Sequence, residues 1–209
     1  MPDTSYDRFR KAWESREAAT AYQEQRFSRS RRWHRIARQE EGIVSRFLSS
    51  LPRGARGLDI PCGAGRLASL FQDAGIHYIG ADFSLPMLQL ARESCGPIPL
   101  VEADALKLPF LEGAFDALTS VRLLHRIREQ VVRVAMLREM ARVIRGPILV
   151  SYYARWNLRG IQRWLQGKYP GLGLREIQQD IEQAGLRITR ATPLCRWTEQ
   201  QWFFRLERG

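Results

Sequence analysis

The longest patterned stretch comes first: residues 7–48 place apolar side chains at helical spacing and contain no glycine or proline before Gly42. Within it Ile36, Ile43, Val44, Phe47 and Leu48 fall on one face, which a core would bury. The turn Leu51-Pro52-Arg53-Gly54 closes this helical segment. Beyond it the period changes. Short apolar runs at 56–60, 77–82, 98–101, 115–120 and 147–151 read as strands, and 66–74, 84–94 and 128–144 read as the helices between them. That alternation predicts right-handed βαβ units and a mostly parallel sheet covered on both faces. Helices are then predicted over 156–166 and 174–184, the second stopped by Gly185. The runs LRITRAT and QWFFRLER, from Leu186 and from Gln201, predict an antiparallel hairpin at the sheet edge.

Composition narrows the class. A chain of 209 residues with 44% hydrophobic and 26% charged residues fits one large soluble domain. No apolar run approaches the ~18 residues that span a bilayer, and the charged N-terminus lacks the apolar centre of a secretory signal. Cys62, Cys95 and Cys195 are widely spaced with no CxxC, so neither a disulfide framework nor a zinc site is expected, and a reducing cytoplasm is the expected home. The net charge is +11, with all but three of the 33 basic residues being arginine. The excess is densest in RFSRSRRWHRIAR, residues 26–38, where a polyanion-binding segment and a solvated helix face fit equally well.

The candidate chemistry begins at LDIPCGAGRL, residues 58–67, where a strand runs into a turn carrying Gly63 and Gly65. Glycines there bare the backbone to a ligand, although tight strand-to-helix turns also use glycine for packing alone. Asp82 ends the next strand 23 residues after Asp59, the distance of a ribose-binding carboxylate in a nucleotide-binding βαβ unit, and Asp104 follows the third strand. Three acids at three consecutive strand ends share the carboxyl edge of the sheet, where open α/β folds bind ligands. A nicotinamide dinucleotide would need the GxGxxG spacing, which PCGAGR lacks.

In order along residues 56–153, LDIPCGAGRL, YIGADFSLPMLQLAR, VEADALKLPF and FDALTSVRLLHRI resemble the four successive motifs of the class I S-adenosylmethionine-dependent methyltransferases, of the group that methylates small molecules, and LREMARVIRGPILVSYY resembles the helix and strand that follow. The resemblance implies a Rossmann-like α/β fold: a mostly parallel seven-stranded sheet with an antiparallel last strand, residues 1–50 as an N-terminal helical lid and 51–209 as the cofactor-binding domain. It implies that Asp59 organises the turn or reaches the cofactor's amino group through water, and that the backbone of Pro61, Cys62, Gly63 and Gly65 passes beside its methionine and ribose. Asp82 would accept both ribose hydroxyls, with Ser84 and Val121 beside the same cofactor. Phe83 and Met87 would flank the adenine, Asp104 would accept from its exocyclic amine and the amide of Ala105 would serve a ring nitrogen. Phe83 and Met87 also read as core at helical spacing, and Asp104 as a turn-forming acid. Proline stands at 61 where the family has glycine, which removes one amide and stiffens the turn.

Methyl transfer from a sulfonium is an in-line displacement, so a base is needed only when the acceptor must lose a proton. His125, past the fourth strand, and Tyr152 and Tyr153, at the end of the fifth, are the candidates, with packing as the alternative for His125. Tyr22 and Arg26, one helical turn apart, or Arg31, would meet the cofactor's carboxylate or an acidic substrate, with surface pairing to Glu24 as the alternative. The expected acceptor is a small molecule bearing O, N or S, aromatic or anionic to suit YYARWNLRGIQRWLQGKYPGLG at 152–173. An RNA- or protein-directed methyltransferase, or a non-catalytic cofactor-binding partner using the basic N-terminal helices, is the second class. The Asn/Asp-Pro-Pro-Tyr/Phe signature of planar-amine methylation is replaced by TSVRLL, and a monomer or homodimer is expected.

Overall fold

A computed structural model of the chain describes residues 4–17, 19–21, 31–155, 157–195 and 199–209. The seven strands are β1 (Arg56–Asp59), β2 (His77–Asp82), β3 (Leu100–Glu102), β4 (Ala117–Ser120), β5 (Ile148–Tyr153), β6 (Leu186–Pro193) and β7 (Gln201–Arg208). They form one sheet in the order β3-β2-β1-β4-β5-β7-β6. Strands β1 to β5 pair in parallel, whereas β7 runs antiparallel to both β5 and β6. The expected sheet is therefore present, with its reversed last strand inserted between β5 and the edge strand β6. Because β1 sits between β2 and β4, the chain reverses its order of addition there, which opens a crevice at the carboxyl ends of these strands.

The helices are α1 (Ser5–Lys11), α2 (Arg31–Leu48), α3 (Ala68–Asp73), α4 (Leu85–Cys95), α5 (Gln130–Val143), α6 (Leu158–Leu165) and α7 (Leu174–Gln183). Side-chain alternation along the strands divides the core in two. Ile148, Val150 and Tyr152 of β5 join Leu137 and Met140 of α5 and Ile177 and Ile181 of α7 on one face. Leu149 points the other way, into a cluster with Phe71, Tyr78, Phe203 and the predicted stripe Ile36, Ile43, Val44, Phe47 and Leu48 of α2.

Several boundaries differ from the sequence pattern, two of them for a visible reason. The helical pattern over 7–48 is interrupted, since α1 ends at Lys11, and there the carbonyl of Trp13 accepts from the Ser84 hydroxyl at 2.6 Å. A tertiary contact overrides local propensity at that point. Strand β3 begins two residues later than the predicted 98, because Pro97 and Pro99 have no N–H to offer a ladder.

One buried ion pair ties the first core together. Arg133 of α5 donates to both oxygens of Asp180 of α7, Nε at 2.6 Å and an η nitrogen at 3.1 Å, and also to the carbonyls of Ile127 and Arg128. The two side chains are 3% and 0% exposed. Removing one partner leaves the other charge buried and alone, so Asp180→Ala is expected to lower unfolding stability by about 3–5 kcal/mol. Urea titration reads this directly, and a loss under about 1 kcal/mol would show that water replaces the carboxylate.

Candidate active site

The carboxyl edge of β1, β2 and β4 is organised by Asp82. Its Oδ2 accepts from the Gly63 amide at 2.8 Å and its Oδ1 from the Ser84 amide at 2.9 Å, which fixes the glycine turn to the start of α4. Ser84 caps α4, its hydroxyl accepting from the Met87 amide at 3.3 Å. Within the turn Gly63 and Gly65 have φ of +54° and +76°, the left-handed region that favours glycine. Nothing lies within 4 Å of where a Cβ on Gly63 would stand, whereas one on Gly65 would come within 2.7 Å of Cys95 Sγ. The first glycine leaves bare backbone toward the crevice, and the second is required for packing against α4. The Ile60–Pro61 peptide is cis.

Asp59 is 1% exposed; one oxygen accepts from the Thr119 hydroxyl at 2.6 Å and the other has no partner among the described residues. Burial raises its pKa to about 7, and burial raises that of Asp82 to about 6 against the opposing pull of its backbone amides. Both line a crevice of about 100 Å³ together with Pro61, Cys62, Phe83 and Met87. Val121 lies on its wall, and Phe9 and Trp13 close it from the N-terminal side.

A second, larger cavity of about 550 Å³ adjoins the crevice through Arg122 and Arg126, which line both. Among the described residues, five cations, Arg122, Arg126, Arg128, Arg163 and Lys168, surround it against one acid, Glu199. His125 stacks on Tyr153 with ring centroids 3.7 Å apart, and neither of its ring nitrogens has a partner among the described residues. Burial, then the fields of Arg126, Arg122 and Arg163, hold its pKa well below the usual value, so the imidazole is neutral near pH 7.

Residues 58–146 match the family model of the methyltransferase domain. These residues form a methyltransferase domain. The chain is 34% identical over 113 residues to a tRNA (carboxymethyluridine(34)-5-O)-methyltransferase of Xenopus tropicalis, a match covering 53% of this chain and 17% of that protein. It is 32% identical over 127 residues to the demethylmenaquinone methyltransferase of Renibacterium salmoninarum, covering 60% and 49%. The chain thus spans less than half the length of these curated relatives. The fold superposes on magnesium protoporphyrin IX methyltransferase from Synechocystis, solved with bound S-adenosylhomocysteine, at a TM-score of 0.74 and 18% identity, covering 98% of this chain and all of that one.

The methyltransferase domain brings most of the sequence candidates together: Asp59, Pro61, Cys62, Gly63, Asp82, Phe83, Met87 and Val121 share the crevice, with Gly65 and Ser84 supporting it from behind. These residues fit S-adenosylmethionine, since the unpartnered Asp59 oxygen suits an ammonium and the open Gly63 backbone suits close approach. Asp104 is engaged otherwise. Its carboxylate accepts from the Tyr6 hydroxyl at 2.6 Å, from Arg10 at 3.0 Å and from the Leu106 amide at 2.8 Å. Arg10 also lies over the Phe83 ring at 5.8 Å, so α1 occupies the side of the crevice expected for adenine. Ala105, buried beside Asp104, does not line the crevice.

Of the base candidates, His125 and Tyr153 line the larger cavity and Tyr152 does not. Tyr152 is fully buried on the opposite face of β5, its hydroxyl 3.4 Å from Asp180, because successive strand residues point to opposite faces. Tyr22 and Arg26 lie outside the described residues, as does the side chain of Arg31. Sequence reasoning missed Phe9, Trp13, Arg66, Arg122 and Glu40. Glu40 of α2 is fully buried and held by Arg122 at 2.8 Å and Arg66 at 3.1 Å, both on the crevice wall. The signal available was Arg122 itself, a charge set between Val121 and Leu123 in an otherwise apolar stretch.

Asp59 gives a pH test. Its raised pKa means the site without cofactor favours the protonated acid up to about pH 7 and loses that stabilising contribution as pH rises through 7. A cationic partner favours the carboxylate, so S-adenosylmethionine should bind more tightly as pH rises to about 7 and release a proton in doing so. Calorimetry in buffers of different ionisation heat should detect the release at pH 6.5–7 in the wild type and little of it in Asp59→Asn; equal release in both would remove Asp59 from contact with the cofactor's charge.

Proposed function

We propose that the protein methylates a small anionic acceptor, held in the cationic cavity, with His125 as the proton acceptor and α1 as a cap that opens to admit the cofactor. The observation that carries this reading is the excess of five cations over one acid around a cavity that meets the cofactor crevice. When bound, S-adenosylmethionine supplies a methyl group on a positively charged sulfur. Asp82 would keep its two backbone amides and use its remaining lone pairs for the ribose hydroxyls. Asp59 would balance the cofactor's ammonium. Arg126, Arg128 and Arg163 would hold the acceptor's negative groups, with Tyr153 on the cavity wall to suit an aromatic acceptor.

The neutral imidazole has a lone pair for the proton, and the acceptor's negative groups would offset the arginine fields that hold its pKa down. An acceptor hydroxyl, thiol or N–H in reach of His125 would donate its proton there as the methyl–acceptor bond forms and the methyl–sulfur bond breaks. The cap would bind through Ser5, whose amide donates to Glu129 at 2.9 Å, and through Tyr6 and Arg10 on Asp104. Opening α1 would free Asp104 for the adenine amine.

A tRNA acceptor is the second reading, supported by the net charge of +11 and by the tRNA named for several relatives. Mixed-RNA binding would then weaken steeply with salt, by about 0.9 in log K per phosphate contact for each unit of log[salt]. For the favoured reading, turnover is assayed against a panel of aromatic carboxylates, phenols and phosphorylated aromatics. His125→Ala should lower kcat on the best acceptor by ~10²-fold with cofactor affinity unchanged. Arg126→Ala should mainly raise KM for charged acceptors, and a loss under threefold for His125→Ala would reject the base.

A further inference from the structure

Helix α6 leaves its apolar side chains in solvent. Gln162 and Arg163 line the large cavity, while Leu158, Ile161, Trp164 and Leu165 are 66%, 48%, 68% and 73% exposed. Positions 158, 161 and 165 lie at i, i+3 and i+7, so these side chains form one stripe with Trp164 beside it. Of the nine large apolar side chains exposed among the described residues, four stand on this one eight-residue helix. Single exposed leucines need no partner, but a stripe along a whole helix does.

The fold holds α6 by polar contacts instead. Asn157 caps it, accepting from the Gly160 amide at 2.9 Å and donating to the Ala154 carbonyl at 2.8 Å, and Arg163 donates to the Tyr169 carbonyl at 2.8 Å. The described charges that share a pocket with Trp164 are both cations. Trp164 shares a shallow pocket with Arg128, Lys168 and Tyr169, and these three also line the large cavity, so the tryptophan stands at its rim. Arg128 and Lys168 are exposed, and the chain carries +11 overall.

We propose that α6 docks on an anionic lipid bilayer, its apolar stripe at the headgroup–acyl boundary and Arg128 and Lys168 against the headgroups, which sets the mouth of the large cavity on the membrane surface. Two features choose this occupant. An apolar face with flanking cations and a tryptophan at its border matches the two-part interface of a bilayer. A nucleic acid would use the cations but leave the leucines in water, and no helix among the described residues is long and apolar enough to cross the membrane instead. The docking does not depend on which acceptor is methylated.

The test is sedimentation of the full chain with vesicles of phosphatidylcholine alone and of phosphatidylcholine mixed with phosphatidylglycerol. The wild type should bind the mixed vesicles and only weakly the neutral ones. Trp164→Asp with Leu165→Asp should lower partitioning by about tenfold or more without altering the melting temperature, since both side chains are already solvated. Lys168→Glu should make the residual binding less salt-sensitive. Wild-type failure to bind mixed vesicles overturns the proposal. So does equal binding by the double variant, or a wild-type dimer that the double variant converts to monomer without any vesicle binding, which would assign the stripe to a second copy.

Discussion

The carboxylate of Asp82 is the contact on which the rest of the site hangs. By accepting the amides of Gly63 and Ser84 it joins the turn after β1 to the cap of α4, and Ser84 passes the connection on to the carbonyl of Trp13. Three separate stretches of chain meet through one buried acid. Keeping that acid ionised in an interior costs solvation, which its raised pKa records, and the backbone dipoles offset part of that cost. A neutral isostere such as asparagine could accept at only one of its two positions, so the carboxylate's symmetry is itself part of the architecture.

Electrostatics divides the carboxyl edge into two compartments. The crevice carries Asp59 and Asp82 on its floor and Arg66, Arg122 and Arg126 on its wall, and the cavity beside it is cationic. Glu40 stands at the boundary, balancing Arg66 and Arg122 so that neither faces the crevice as a free charge. A cationic cofactor and an anionic acceptor would each find the complementary field on its own side, and the field would draw the two reacting centres toward the shared wall.

How much of this was legible in the sequence follows from the range of the interactions. The alternation of strands and helices and the glycine turn were readable because strand periodicity, turn glycines and acids at strand ends are local patterns, carried by Gly63, Asp59 and Asp82, whereas the order of the strands in the sheet is not a local property. The stripe of α2 was readable for the same reason. Phe9 and Trp13 reach the crevice, and Tyr6 reaches Asp104, through contacts about 70 to 100 residues away in sequence, and no local period announces them. Tyr152 and Tyr153 differ only in strand parity. Neighbouring tyrosines were indistinguishable until the register of β5 against β7 fixed which one turns toward His125.

Arg122 has φ of +67°, a backbone conformation that glycine adopts freely and a branched or long residue only at about 1 kcal/mol or more. Its amide is fixed by the Ser151 hydroxyl at 2.8 Å and its guanidinium by buried Glu40. Locally, glycine would be the more comfortable choice, yet it would leave a buried acid with half its counter-charge. Position 122 is therefore a poor target for thermostabilisation by backbone relaxation: the design gain in the loop and the loss in the interior belong to the same atom set, and a search that scores them separately will misjudge both.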